Sequence, residues 1–109
     1  MSLSCAQLDL RGNYLRPEGA KALAPALAAN ASLTSLDVRF NYISGDGASQ
    51  LSTAVLGNTK IEVFNEVPIN EMRADSFTEL NLEGKVIGVE GGMVVAGLLP
   101  VMASLTEVS

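Results

Sequence analysis

The side chains able to do chemistry are few in this chain, and their types exclude most of it. Histidine is absent, which removes the commonest general base and the commonest transition-metal ligand. A single cysteine, Cys5, leaves no thiolate zinc site and no disulfide within the chain. The run from Gly45 to Thr53, GDGASQLST, looks like a glycine-rich phosphate loop. It lacks the Gly-Lys-Ser/Thr ending of one such loop and the third glycine of the other. Asn30-Ala31-Ser32 fits a glycosylation acceptor by pattern alone. The 12 acidic residues are dispersed rather than clustered. These residues imply no catalysis, no cofactor and no metal.

The composition bounds the rest. At 109 residues the chain has room for one domain with one core. Hydrophobic residues make up 48% and aromatics only 5%, with no Trp, so that core must be aliphatic. A formal charge of −5 is no footprint for nucleic acid or an anionic membrane. The longest apolar stretch, GGMVVAGLLPVMA, has 13 residues, well short of the ~20 a bilayer demands. With one cysteine and no signal peptide, the expected compartment is reducing and cytoplasmic.

The elements that carry these residues repeat. Shifted by 28 positions, the chain matches itself: Leu8 meets Leu36, Leu10 meets Val38, Asn13 meets Asn41, Tyr14 meets Tyr42, Leu23 meets Leu51, and Leu27 meets Val55. A later copy starts at Phe77 and places Leu80, Leu82, Ile87, Gly91, Val95 and Leu99 in the same slots. A repeat of this length predicts a stack in which each unit buries its apolar face on its neighbours. Within a unit the periods change. Leu36 and Val38 alternate as on a strand, whereas Ala48, Leu51 and Val55 form a helical stripe, predicting a helix from about Asp46 to Gly57. Asn30 and Asn58 follow their helices where an αL-tolerant residue is expected. Pro25 and Pro100 are expected to kink or shorten theirs.

The units read 5–32, 33–60 and 77–104, with a further unit starting at 105–109; a chain beginning and ending inside units looks like part of a longer stack. Between them, residues 61–76 are too short for a strand plus a full helix. Here the expectation is a short strand near 62–65, a loop with Pro68, one turn near 71–73, and Val67, Ile69 and Met72 plugging the helical layer. Glu66 falls in an apolar slot and breaks the pattern.

The stretch LTSLDVRFNYISGDGASQLSTAV resembles the leucine-rich repeat family, and a 28-residue period with a full helix resembles its ribonuclease-inhibitor-like class. That class also occurs in cytosolic pattern-recognition receptors and in activators of Ran-type GTPases. The resemblance implies an α/β solenoid, a horseshoe arc with a parallel sheet on the concave side and helices on the convex side. It implies a hydrogen-bonded ladder of turn asparagines at Asn13 and Asn41, stopping or bending at Lys85. It implies a non-catalytic protein–protein interaction scaffold; a GTPase-regulating domain and an architectural spacer are the alternatives.

On that scaffold Asp9 stacks beside Asp37, and Arg11 beside Arg39, one strand apart at ~4.8 Å. The pattern reads either as a solvated, self-neutralising face or as a charged floor for a protein partner. The floor comprises Asp9, Arg11, Ser35, Asp37, Arg39, Asn81 and Glu83. Tyr14 and Tyr42, beside Phe40, serve as interface anchors or pack the turn against its neighbour. In the last helix Gly92, Val95, Ala96 and Leu99 take the core slots. Met93, Val94, Leu98, Val101 and Met102 then lie off that stripe and predict self-association, a homo-oligomer formed through this helix or the exposed ends of the stack.

Overall fold

The computed structural model describes residues 7–75, 79–82 and 85–106, together with the backbone of 107 and 108. Cys5, Phe77 and Glu83 lie outside the described residues. The elements alternate: β1 (Gln7–Asp9), α1 (Arg16–Ala29), β2 (Ser35–Asp37), α2 (Gly45–Gly57), β3 (Val63–Phe64), α3 (Ile69–Arg73), β4 (Glu79–Leu80), α4 (Gly88–Leu98), a 3-10 turn (Leu99–Val101) and β5 (Glu107–Val108).

The named strands pair in parallel and follow the 28-residue period, and one isolated antiparallel bridge joins Phe64 and Val67. Leu8 lies opposite Leu36, Leu36 opposite Phe64, and Leu80 opposite Val108. Among the described residues the strands form two sheets, β1-β2-β3 and β4-β5. The alternation expected of β2 holds, with Leu36 and Val38 fully buried while Ser35 and Asp37 face away. The helical stripe Ala48, Leu51 and Val55 is also fully buried and shares one cluster with them. Each aliphatic side chain taken out of water in this way contributes ~1.5–3 kcal/mol.

Helices α1 and α2 meet at Gly47. A methyl group there would lie against the carbonyl oxygen of Pro17 and 2.6 Å from its Cα, so only glycine permits the approach. Pro25 sits inside α1, which continues past it, whereas Pro100 ends α4 and turns the chain into 3-10 geometry. No helix among the described residues is long and apolar enough to cross a membrane.

The short stretch between full units behaves largely as its length dictates. A two-residue strand and a five-residue helix replace the usual pair, and Val67, Ile69 and Met72 are all fully buried. This stretch also supplies a cap. Arg73 donates from Nη1 to the Ile61 carbonyl (2.7 Å) and from Nη2 to those of Val55 (2.9 Å) and Asn58 (3.2 Å). The orphan carbonyls at the end of α2 thereby gain a cation, the sign that the helix dipole favours there. Burial lowers the Arg73 pKa from its ordinary value.

Two expectations are corrected. Asn30 and Asn58 are extended, not αL. They act through their side chains: Asn30 Oδ1 accepts from the Ser32 and Leu33 amides, and Asn58 Nδ2 donates across the units to the carbonyls of Leu27 (2.7 Å) and Asn30 (2.9 Å). The face of α4 is also rotated from the expected one. Val94, Leu98 and Met102 are buried in the chain's own core, while Ala96 and Leu99 are exposed. The reason is that α3 is too short to fill the layer, so α4 packs on α2 and α3 together. Pro100 then swings Leu99 outward and Met102 inward. Val94, Leu98 and Met102 are therefore unavailable to a second copy; Met93 and Val101 remain exposed.

Replacing Gly47 by Ala is expected to lower the unfolding free energy by about 1–3 kcal/mol through forced separation of α1 and α2. Gly57→Ala, where the added methyl meets open space, serves as the control and should change stability by under about 1 kcal/mol. Urea unfolding followed by circular dichroism measures both.

Candidate functional site

The strands β1 and β2 each end in an Asp-x-Arg sequence, Asp9-Leu10-Arg11 and Asp37-Val38-Arg39. The middle residue of each points toward the helices, so Asp and Arg emerge on the opposite face two residues apart. Each pair closes on itself. Arg11 Nη2 donates to Asp9 Oδ2 at 2.7 Å and its Nε to Oδ1 at 2.9 Å; Arg39 repeats both distances on Asp37. The backbone amides of Arg11 and Arg39 donate to the same carboxylates. Contact between the two rows is looser, with Arg11 Nε 3.8 Å from Asp37. The expected checkerboard is thus present, with its strong bonds running along each strand.

A third acid joins it. Glu66 Oε1 lies 3.1 Å from Arg39 Nη2. The sequence places Glu66 in an apolar slot, and that mismatch was the available signal. Asn65 and Glu66 adopt positive φ, +50° and +64°, which turns the chain so that the carboxylate comes out on the open face. Gln7, Asp9, Arg11, Ser35, Asp37 and Glu66 line a shallow depression of about 350 Å³. Asn81 is exposed but follows β4, in the other sheet, so the described residues show no continuous floor from Asp37 to Asn81.

The electrostatics follow from these bonds. The guanidinium and amide of Arg11 hold the Asp9 carboxyl down at about 2. Arg11 and Arg39 are both raised, chiefly by the hydrogen bonds to their aspartates. Asp9 and Arg11 are half in water, where such a pair contributes little to stability. Arg39 is almost fully buried. No group of three or more His, Cys, Asp or Glu residues among those described is placed to hold a metal ion.

A buried polar spine supports the floor from behind. Asn41 Nδ2 donates to the carbonyls of Val38 (2.8 Å) and Leu10 (2.8 Å), and its Oδ1 accepts from the Asn13 (2.7 Å) and Leu15 (3.2 Å) amides. Asn65 takes the next step: Oδ1 accepts from the Val38 amide (2.9 Å), while Nδ2 donates to the Ile87 carbonyl (2.8 Å) and to Glu90 Oε2 (2.7 Å). Lys85 reaches the Glu66 carbonyl at 3.3 Å. The ladder therefore continues through Asn65, out of the expected slot. Burial raises the Glu90 pKa, with the Asn65 hydrogen bond opposing it.

The leucine-rich repeat family model matches residues 7–24 and 29–52. The first two units are thus similar to leucine-rich repeats. Comparison with curated proteins and with solved structures gave no match. The repeat match covers β1, β2 and both Asp-x-Arg pairs, whereas Glu66, Asn65 and Glu90 lie beyond it.

Because the folded state raises the pKa of Glu90, it holds the proton more tightly than the unfolded chain. Stability therefore falls as pH rises from the unfolded carboxyl range through the raised value. Glu90→Gln keeps an oxygen for Asn65 and removes the charge. The variant should melt higher than the wild type at pH 7, with the gap closing on acidification; thermal melts across that range test the sign.

Proposed function

We propose that this chain is a non-catalytic protein-binding module. Its open sheet face, around Asp9, Arg11, Ser35, Asp37, Arg39 and Glu66, receives a protein partner, and its proposed compartment is the cytoplasm. One observation carries the reading: two adjacent strands carry the same charged pair in register, the Asp9–Arg11 pair half-exposed and the Asp37–Arg39 pair joined by Glu66. Bidentate bonds fix these side chains before any partner arrives, so little rotamer entropy is left to lose on binding. Leucine-rich repeats generally mediate protein–protein interaction, which supports the same conclusion. A photo-crosslinking residue at Gln7, on the rim of the depression, should give discrete protein adducts in the producing cell. The same residue at Thr53, on the outer side of α2, should give none. Adducts from Thr53 in place of Gln7 would move the binding face to the helices.

Self-association is the second part of the proposal. Leu8, Leu10, Leu15 and Leu23 are only half-buried, whereas their counterparts Leu36, Val38, Ile43 and Leu51 are buried. The first unit thus presents an apolar flank of the kind that its own neighbour covers, and Met93 and Val101 add exposed surface on the last helix. Sedimentation velocity over a hundredfold concentration range should show a rising mean mass; a constant monomer mass removes this part and leaves the partner-binding face untouched.

A further inference from the structure

Phe40 stands in the slot that Gly12 fills one unit earlier. Both have positive φ, +61° and +68°. In this left-handed region a side chain crowds the following carbonyl, and glycine avoids that strain. Burial could offset such strain, yet Phe40 is 60% exposed. Tyr14 and Tyr42 repeat the situation at φ +53° and +56°, with 66% and 71% exposure. Their rings stack at 5.6 Å with an interplanar angle of 19°. Mutual stacking accounts for the inner ring faces and Arg39 lies over one face of Phe40, which leaves the outer tyrosine faces and the other face of Phe40 open. Beside the pair opens a depression of about 540 Å³ lined by Tyr14, Arg16, Pro17, Glu18 and Tyr42.

The geometry points to a second binding surface on this loop edge, one that takes an arginine-bearing basic segment of a protein partner. The closely stacked tyrosines leave no slot between them, so a ligand group must lie flat on an outer face. Electron-rich ring faces attract cations. The edge already holds one guanidinium in that way, with Arg39 Cζ 5.8 Å from the Phe40 ring centre. The charge of the chain, −5, favours a basic partner, and Glu18 supplies a carboxylate in the depression. Arg16 offsets Glu18 there, so a compact ammonium gains little from charge alone. A planar guanidinium that stacks and donates hydrogen bonds gains more. The residues that would meet the ligand here, Phe40, Tyr14, Tyr42 and Glu18, are not those of the sheet floor, so the two surfaces are tested separately.

The chain contains two tyrosines and no tryptophan, so its tyrosine emission reports on this edge alone. Titration with octa-arginine at ~150 mM salt should change that emission saturably. Octa-lysine should bind about tenfold more weakly, and octa-proline should leave the emission unchanged. Phe40→Gly should weaken octa-arginine binding several-fold while the melting temperature stays the same or rises, because strain is relieved; a packing role would lower it. Equal binding of octa-lysine, binding of octa-proline instead, or no emission change with any peptide overturns the assignment. So does a Phe40→Gly variant that melts earlier and binds unchanged.

Discussion

The side-chain amide of Asn41 is buried where two units meet, and it is bonded on both sides: to the Val38 and Arg39 carbonyls of its own turn and to Leu10, Asn13 and Leu15 of the preceding one. A strand that gives way abruptly to a helix leaves backbone donors and acceptors with no partner in either element, and their burial without one is costly. An asparagine offers both an acceptor and two donors at one site. Because its bonds fall on fixed atoms of the neighbouring unit, they also fix the register. The strand pairing, the alignment of Leu8 with Leu36 and the close approach of α2 to Pro17 at Gly47 all share that register. Asn58 makes the corresponding bond at the other end of the helices, so each unit is pinned before and after its helix.

The shortened unit tests what the stack requires. It omits most of a helix, and the structure compensates from three directions. Asn65 takes over the ladder from a position four residues before the slot of Asn41. Arg73 closes the end of α2. Helix α4, flanked by α2 and α3, buries Val94 and Leu98 beside Val95. A helix wetted on three sides could not carry such a wide apolar surface, so the apolar width of α4 and the shortness of α3 are a single adaptation.

The regular part of this architecture was legible because it repeats. Positions 28 apart predicted the β1–β2 register, the burial of Leu36 and Leu51, and a second helix that begins within one residue of the expected start. What escaped is what does not repeat. Asn65 has no counterpart at its offset, and Arg73 acts on carbonyls 12 to 18 positions away, a contact that no periodicity encodes. The face of α4 was misplaced because slot counting assumes an unbroken α-helix beside a full-length neighbour, and Pro100 and α3 remove both conditions. Glu66 was noticed as an anomaly; its meaning depended on two consecutive left-handed residues that turn it to the open face. Asn30 and Asn58 were placed correctly as helix ends but for the wrong reason, since asparagine suits both an αL backbone and a bridging side chain.

Repetition also separates what the stack needs from what it merely carries. The inward aliphatics recur in the core, and Asn41 and Asn58 bridge the first two units. Of the two Asp-x-Arg pairs, Asp37–Arg39 is largely buried and Asp9–Arg11 is not. The Asp9–Arg11 pair is half in water, where an ion pair contributes little to stability. The tyrosines are a stronger case, since their left-handed backbone opposes folding and their ring contact returns only about 0.5–1.5 kcal/mol. Phe40 replaces the glycine of the previous unit and stays 60% exposed. Side chains that contribute so little to the fold, held in fixed geometry by a scaffold that tolerates their strain, are the ones on which the proposed binding surfaces rest.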